Sequence, residues 1–190
     1  MDKITALLSA DATPSAPALV LRPWEPADAS GLLELGRDDA LRRWTSLAVD
    51  DEAGAADWIR EQRQGWETGG RFAFAVLERR EPGGGAARLV GHAVLNGVAP
   101  GTASADVGYW TAAPARGRGV APRALRALTD WAFATFAAEG LTRLRLLHQV
   151  DNTASCRVAE KCGYELSAVL PAAPPAYPLD GHVHVRAYEA

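Results

Sequence analysis

Cysteine is scarce in this chain of 190 residues: Cys156 and Cys162 are the only two. On a helix a separation of six residues turns them to different faces, so no disulfide is expected, and no Cys-x-x-Cys pair offers a metal or redox motif. Two free thiols fit a reducing compartment, and a cytoplasmic protein is the expectation. Lysine occurs only at Lys3 and Lys161, the formal net charge is -3, and no block of basic residues is present. Those absences remove the electrostatic footprint of a nucleic-acid binder. A long apolar run is missing too. Met1 to Ala18 carries Asp2 and Asp11 and has no extended apolar core, so it does not read as a signal peptide or membrane span. No internal repeat is visible.

What remains is an ordinary globular composition, 48% apolar and 23% charged, at a length that supports one core and one domain. Residues 10–18 are rich in Ala, Pro, Ser and Thr, so residues 1–18 read as a flexible lead-in and 19–190 as the domain. Leu19 to Pro23 reads as a strand, followed by helical patterns from Asp28 and from Asp51 to Thr68. Arg71 to Leu77, Leu89 to Leu95 and Ala103 to Thr111 form a strand meander, with Glu81 to Ala87 as a Gly-rich hairpin tip. A long helix from Pro122 to Ala138 precedes a half-buried strand, Leu141 to Val150, in which Leu144 and Leu146 alternate with Arg143 and Arg145. A short helix follows, begun by Asp151 or Asn152 and stopped at Gly163. Tyr164 to Leu170 and His182 to Tyr188 read as closing strands around the Pro-rich loop Pro171 to Pro178.

Arg116-Gly117-Arg118-Gly119-Val120-Ala121 joins the third meander strand to the long helix. Glycines let the backbone turn its amides toward a ligand, and the helix start adds unpaired N–H groups and a positive dipole end, so the turn suits a phosphate. It lacks the Gly-Lys-Ser/Thr of a Walker loop and the third glycine of a dinucleotide fingerprint.

The pattern Arg116-x-x-Gly119-x-Ala121 resembles the acyl-CoA pyrophosphate loop of the GNAT acetyltransferases. Asn152-x-x-Ser155 followed by Glu160-Lys161-x-Gly163-Tyr164 is similar to the signature of the branch that contains the ribosomal-protein N-terminal acetyltransferases. Asp106 to Trp110 and Leu21-Arg22-Pro23-Trp24 also resemble that branch, so the likeness covers nearly the whole chain from Leu19. It implies an α/β (α+β) fold with a central, mostly antiparallel, splayed mixed sheet flanked by helices. It also implies acetyl-CoA as co-substrate, with no metal, and an amine acceptor that is a protein N-terminus or a small molecule. A non-catalytic acyl-CoA-binding module is the competing class, and monomer and homodimer both remain open.

By that resemblance the backbone amides of Gly117, Arg118, Gly119, Val120 and Ala121 would hold the pyrophosphate, with charge from Arg116 and Arg118. Trp110 and Thr111 would pair with the pantetheine arm through their backbones. Asn152 would hydrogen-bond the same arm, unless it is simply a helix cap. Ser155, one helical turn on, would face the thioester sulfur. The family's tyrosine acid is replaced by Ala159. His148 is the first candidate base, although its alternation with Leu144 and Leu146 equally describes a core histidine. Asp106 is a weaker candidate and Glu34 weaker again. His182 and His184 share a strand face at a metal-binding spacing but lack an evident third ligand. Trp44, placed on a loop, and Tyr177 are the candidate acceptor-pocket residues, while Trp58 reads as core.

Overall fold

The structure is a computed structural model that describes residues 6–45, 47, 49–79 and 87–189. Of the expected hairpin tip, only Ala87 lies within these residues. The strands are β1 (Leu8–Ala10), β2 (Leu19–Pro23), β3 (Arg71–Glu78), β4 (Arg88–Asn96), β5 (Ser104–Thr111), β6 (Arg143–Gln149), β7 (Glu165–Leu170) and β8 (Gly181–Ala187). The helices are α1 (Ala29–Leu35), α2 (Asp39–Trp44), α3 (Glu52–Thr68), α4 (Val120–Phe136) and α5 (Thr153–Lys161). One sheet runs in the order β1-β2-β3-β4-β5-β6-β8-β7, antiparallel except where β5 meets β6. No helix among the described residues is long and apolar enough to cross a membrane.

The run Phe72 to Leu77 does not alternate because helices cover both faces of β3. Phe72, Phe74 and Val76 pack with Leu125, Leu128 and Phe136 of α4, while Ala73, Ala75 and Leu77 pack with Trp24, Leu32 and Ile59 on the α1–α3 side. β6 does alternate, burying Leu144 and Leu146 and exposing Arg143 and Arg145. At Gly91 a Cβ would stand 2.6 Å from the Trp110 carbonyl oxygen, so the close pairing of β4 and β5 requires glycine there. His92, buried beside Trp24, Trp58 and Trp110, accepts the Trp24 indole N–H at Nδ1 at 3.1 Å. Burial, and then the charge of Arg71, pushes its pKa down to about 3, so it stays neutral.

Two segments differ from expectation. The sheet begins at Leu8 rather than Leu19: β1 pairs with β2, and the Arg123 guanidinium of α4 donates to the carbonyls of Ala10, Asp11 and Pro17 at 3.2, 2.5 and 2.8 Å. A composition with little to bury is thus held by backbone bonds to an arginine far along the chain. Trp44 ends a helix rather than lying on a loop. α2 has only six residues, too few for a visible period, and starts where Asp38 accepts the Ala40 N–H at 3.0 Å.

Candidate active site

β5 and β6 pair only from Ser104 with Arg143 to Val107 with Leu146. Beyond that point β5 continues along β4 to Thr111, and β6 continues along β8 to Gln149. The sheet therefore splits into a gap between the second halves of β5 and β6. The Ala112 N–H bonds the Val90 carbonyl, and strand alternation turns the backbone groups of Trp110 the same way, toward β4. Those of Tyr109 and Thr111 face the gap. This alters the expected pair of backbone partners: the Thr111 N–H is available, its carbonyl accepting from the Arg116 Nε, whereas Trp110 is committed to β4, with its buried ring stacked on His92.

One end of the gap is the turn before α4. A 3-10 turn, Ala113–Ala115, leads to Arg116, and Gly117 and Gly119 both adopt φ +73°, a conformation glycine takes without strain. Among the described residues, the amides of Gly117, Arg118, Gly119, Val120 and Ala121 meet no backbone carbonyl. Gly119 is the N-cap of the 17-residue α4, so these donors lie at the positive end of its dipole. The arrangement is an anion cradle. Both arginines are engaged within the chain. Arg116 pairs with Asp38 and donates from Nε to the Thr111 carbonyl at 3.2 Å. Arg118 lies 2.8 Å from Glu78 without hydrogen-bond alignment.

At the other end, α5 follows β6 after a tight turn. Asn152 caps this helix, its Oδ1 accepting the Ser155 N–H at 3.2 Å. Ser155 is half-buried, and its Oγ accepts the Tyr109 hydroxyl at 3.2 Å. Burial raises the Tyr109 pKa to about 12, so this phenol keeps its proton at neutral pH. Tyr109 stands in the Asp-Val-Gly-Tyr-Trp stretch, yet sequence reasoning gave it no role. Alternation within a strand does not say which residue of a distant helix will meet it. Ala159 is fully buried against the core and offers no proton.

The other candidates are placed as follows. Both Asp106 oxygens accept from the Arg145 guanidinium, at 2.7 and 3.0 Å. His148, next to last in β6, has Nδ1 2.9 Å from the Gln149 carbonyl oxygen and Nε2 3.6 Å from the Cys156 Sγ, below α5. Glu34 is exposed on α1. Trp44 is half-buried under the Arg43 guanidinium, 4.5 Å from its ring centre, and Arg43 reaches across to Asp151 at 3.0 Å, tying α2 to the turn before α5. Tyr177 is exposed in the β7–β8 loop, its backbone bonded to Ala173. Trp58 packs edge-on against Trp24 in the core. The structure thus brings Tyr109, Asn152 and Ser155 together and leaves Asp106, His148 and Tyr177 outside that group.

Residues 18–165 match the family model of the acetyltransferase (GNAT) domain. Three solved structures share the fold at low identity. The microcin C7 self-immunity acetyltransferase MccE, in complex with acetyl-CoA and AMP, is 18% identical over 93% of this chain and 98% of its own, with a TM-score of 0.76. RimJ from Mycobacterium smegmatis, in complex with CoA-disulfide, is 21% identical over 96% and 86%, with a TM-score of 0.75. A Salmonella typhimurium acetyl transferase that modifies the N-terminal serine of ribosomal protein L7/L12 is 17% identical over 95% and 99%, with a TM-score of 0.74. No curated protein matches the sequence.

Proposed function

The chain belongs to the GNAT family of acetyl-CoA-dependent acetyltransferases, and on that premise we propose that it acetylates the α-amine at the N-terminus of a protein, in the cytoplasm. The observation that carries the site assignment is the gap itself, with the backbone groups of Tyr109 and Thr111 facing it along one wall, an amide cradle at one end and a hydroxyl pair at the other. Acetyl-CoA supplies the acetyl group and the thiol that leaves.

The amides from Gly117 to Ala121 bind the pyrophosphate, and the backbone groups of Tyr109 and Thr111 pair with the amide-bearing arm. Ser155 donates its proton to the departing sulfur while the Tyr109 hydroxyl, donating to the Ser155 Oγ, steadies the oxygen that loses it, and the water that takes up the amine's proton returns one to Ser155. Asn152 holds the first turn of α5 so that Ser155 stays in place. With Asp106 bound to Arg145 and His148 turned under α5, the proton of the attacking amine is left to water. Holding amine and thioester together supplies much of the acceleration.

The acceptor assignment is supported by the sequence likeness to the ribosomal-protein branch and by neighbours of the same fold whose acceptor is a ribosomal-protein N-terminus. MccE has this fold as well and serves self-immunity, which makes small amines the second reading. Steady-state release of CoA thiol separates the two. Peptides with a free α-amine should be turned over, and the same peptides blocked at the N-terminus should not. Turnover confined to polyamines or aminoglycosides would overturn the protein acceptor. Acetyl-CoA binding with no acceptor-dependent thiol release from any amine would leave a binding module.

A further inference from the structure

Four histidines occur in the chain, and three of them, His148, His182 and His184, meet below α5. The register of β6 and β8 sets His148 opposite His182 and Leu146 opposite His184, which puts the three imidazoles on one face of the sheet with ring centres 5.1 to 5.9 Å apart. The helix adds a thiol: the Cys156 Sγ lies 3.6 Å from the His148 Nε2 and 3.3 Å from the His182 Nδ1. One donor atom from each of the four residues lies within 4.8 Å of all the others. Spacing along β8 alone offers only the pair His182 and His184. The third and fourth groups come from β6 and α5, which only the fold places beside them.

His184 supplies an independent observation. It is 2% exposed, and among the described residues neither ring nitrogen makes a well-aligned hydrogen bond, the Tyr164 backbone standing near one of them. Burying unpaired polar atoms is costly, and His92, buried to a similar degree, accepts an indole N–H at Nδ1. An imidazole without a well-formed hydrogen bond, facing two others and a thiol, is arranged for a ligand that accepts electron pairs.

We propose that His148, Cys156, His182 and His184 form a zinc site with one thiolate and three imidazole ligands. Imidazole nitrogen and thiolate sulfur are the donors that suit this ion in a closed tetrahedral site. Tetrahedral zinc with bonds of about 2.0 Å to nitrogen and 2.3 Å to sulfur sets N···S edges of about 3.6 Å and N···N edges of about 3.4 Å. The two S···N separations, 3.3 and 3.6 Å, already match, and the widest edge closes by up to about 1.4 Å through side-chain rotation. Cys156 binds as thiolate and loses its proton to solvent, while the imidazoles bind neutral. Three of the four groups are half-buried, which leaves a way in. The acetyl transfer needs no metal. The ion ties the first turns of α5 to β6 and β8, one residue from Ser155.

Cobalt titration of chelator-treated full-length protein tests this. One equivalent should produce the visible bands of tetrahedral Co2+ and a near-ultraviolet thiolate-to-cobalt band, both erased by Zn2+. Cys156→Ser should abolish the thiolate band, and Cys156→Ser and His182→Asn should each weaken zinc binding by more than about 100-fold, beyond what losing an outer-sphere partner costs. Far-ultraviolet circular dichroism and acetyl-CoA binding report whether each variant is folded, and neither depends on the acceptor amine. Folded wild-type protein that takes up no stoichiometric zinc or cobalt, or an unchanged thiolate band in Cys156→Ser, would reduce the cluster to a thiol hydrogen-bonded among imidazoles.

Discussion

The two ends of the gap between β5 and β6 are built from different material. The phosphate end is backbone: five amides with no backbone acceptor among the described residues, two glycines at φ +73° and the start of a 17-residue helix. Its arginines are held by Asp38 and Glu78, so the charge they bring is already partly balanced. The acetyl end is side chain: one hydroxyl pair at 3.2 Å and one capping amide at 3.2 Å. A backbone cradle tolerates many side chains and depends on conformation, whereas a hydroxyl pair depends on single atoms. Substitutions at the first end should therefore move the KM for acetyl-CoA, and those at the second should move kcat.

Ser155→Ala is the sharpest way to separate them. Alanine keeps the backbone N–H that Asn152 accepts, so the α5 cap survives and only the proton donor is removed. We expect kcat to fall about 100-fold with little change in KM, as for loss of a general acid. Steady-state thiol release checks this, and a change confined to KM would erase the distinction between the ends. Tyr109→Phe should cost less, about tenfold in kcat, because it removes a hydrogen bond to the donor and not the donor itself. The sign of its pH dependence follows from a pKa raised to about 12. Tyr109 keeps its proton until far above neutrality, so the loss should be the same from neutral to moderately alkaline pH. A deficit that changed across that range would show that Tyr109 titrates there.

The same contrast accounts for what was legible in the sequence. Glycine positions, helix starts and strand patterns are local, and they located the Arg116 to Ala121 turn, the strand before it and the start of α5, with its cap narrowed to Asp151 or Asn152. β3 read as a strand from its aromatic and branched content even without alternation. Pairings across the sheet were not legible. Ser155 and Tyr109 are 46 positions apart, and no spacing rule brings them to 3.2 Å. Alternation gave His148 its face but not its neighbours Cys156, His182 and His184, which come from α5 and β8. Trp110 was assigned by its proximity to the loop. Which way its backbone groups turn depends on the β4 register, which a single strand does not reveal. The N-terminal segment hid for a related reason, since what holds it is the side chain of Arg123.

Gly119→Ala tests the backbone end by itself. A Cβ at this position would have Arg123 Cδ as its nearest neighbour at 3.9 Å, so no clash complicates the substitution. What remains is conformational: an alanine held at φ +73° costs roughly 1 kcal/mol against the right-handed region. The amides of residues 118–121 point together only while that angle is kept. If the strain is relieved by turning the loop out of the binding arrangement, re-forming the arrangement on binding costs the same amount. The KM for acetyl-CoA then rises about fivefold. kcat should stay near wild type, since Tyr109 and Ser155 are untouched. Isothermal titration with CoA gives the binding loss directly. An unchanged affinity with a reduced kcat would mean that the turn governs the chemistry and does not anchor the cofactor.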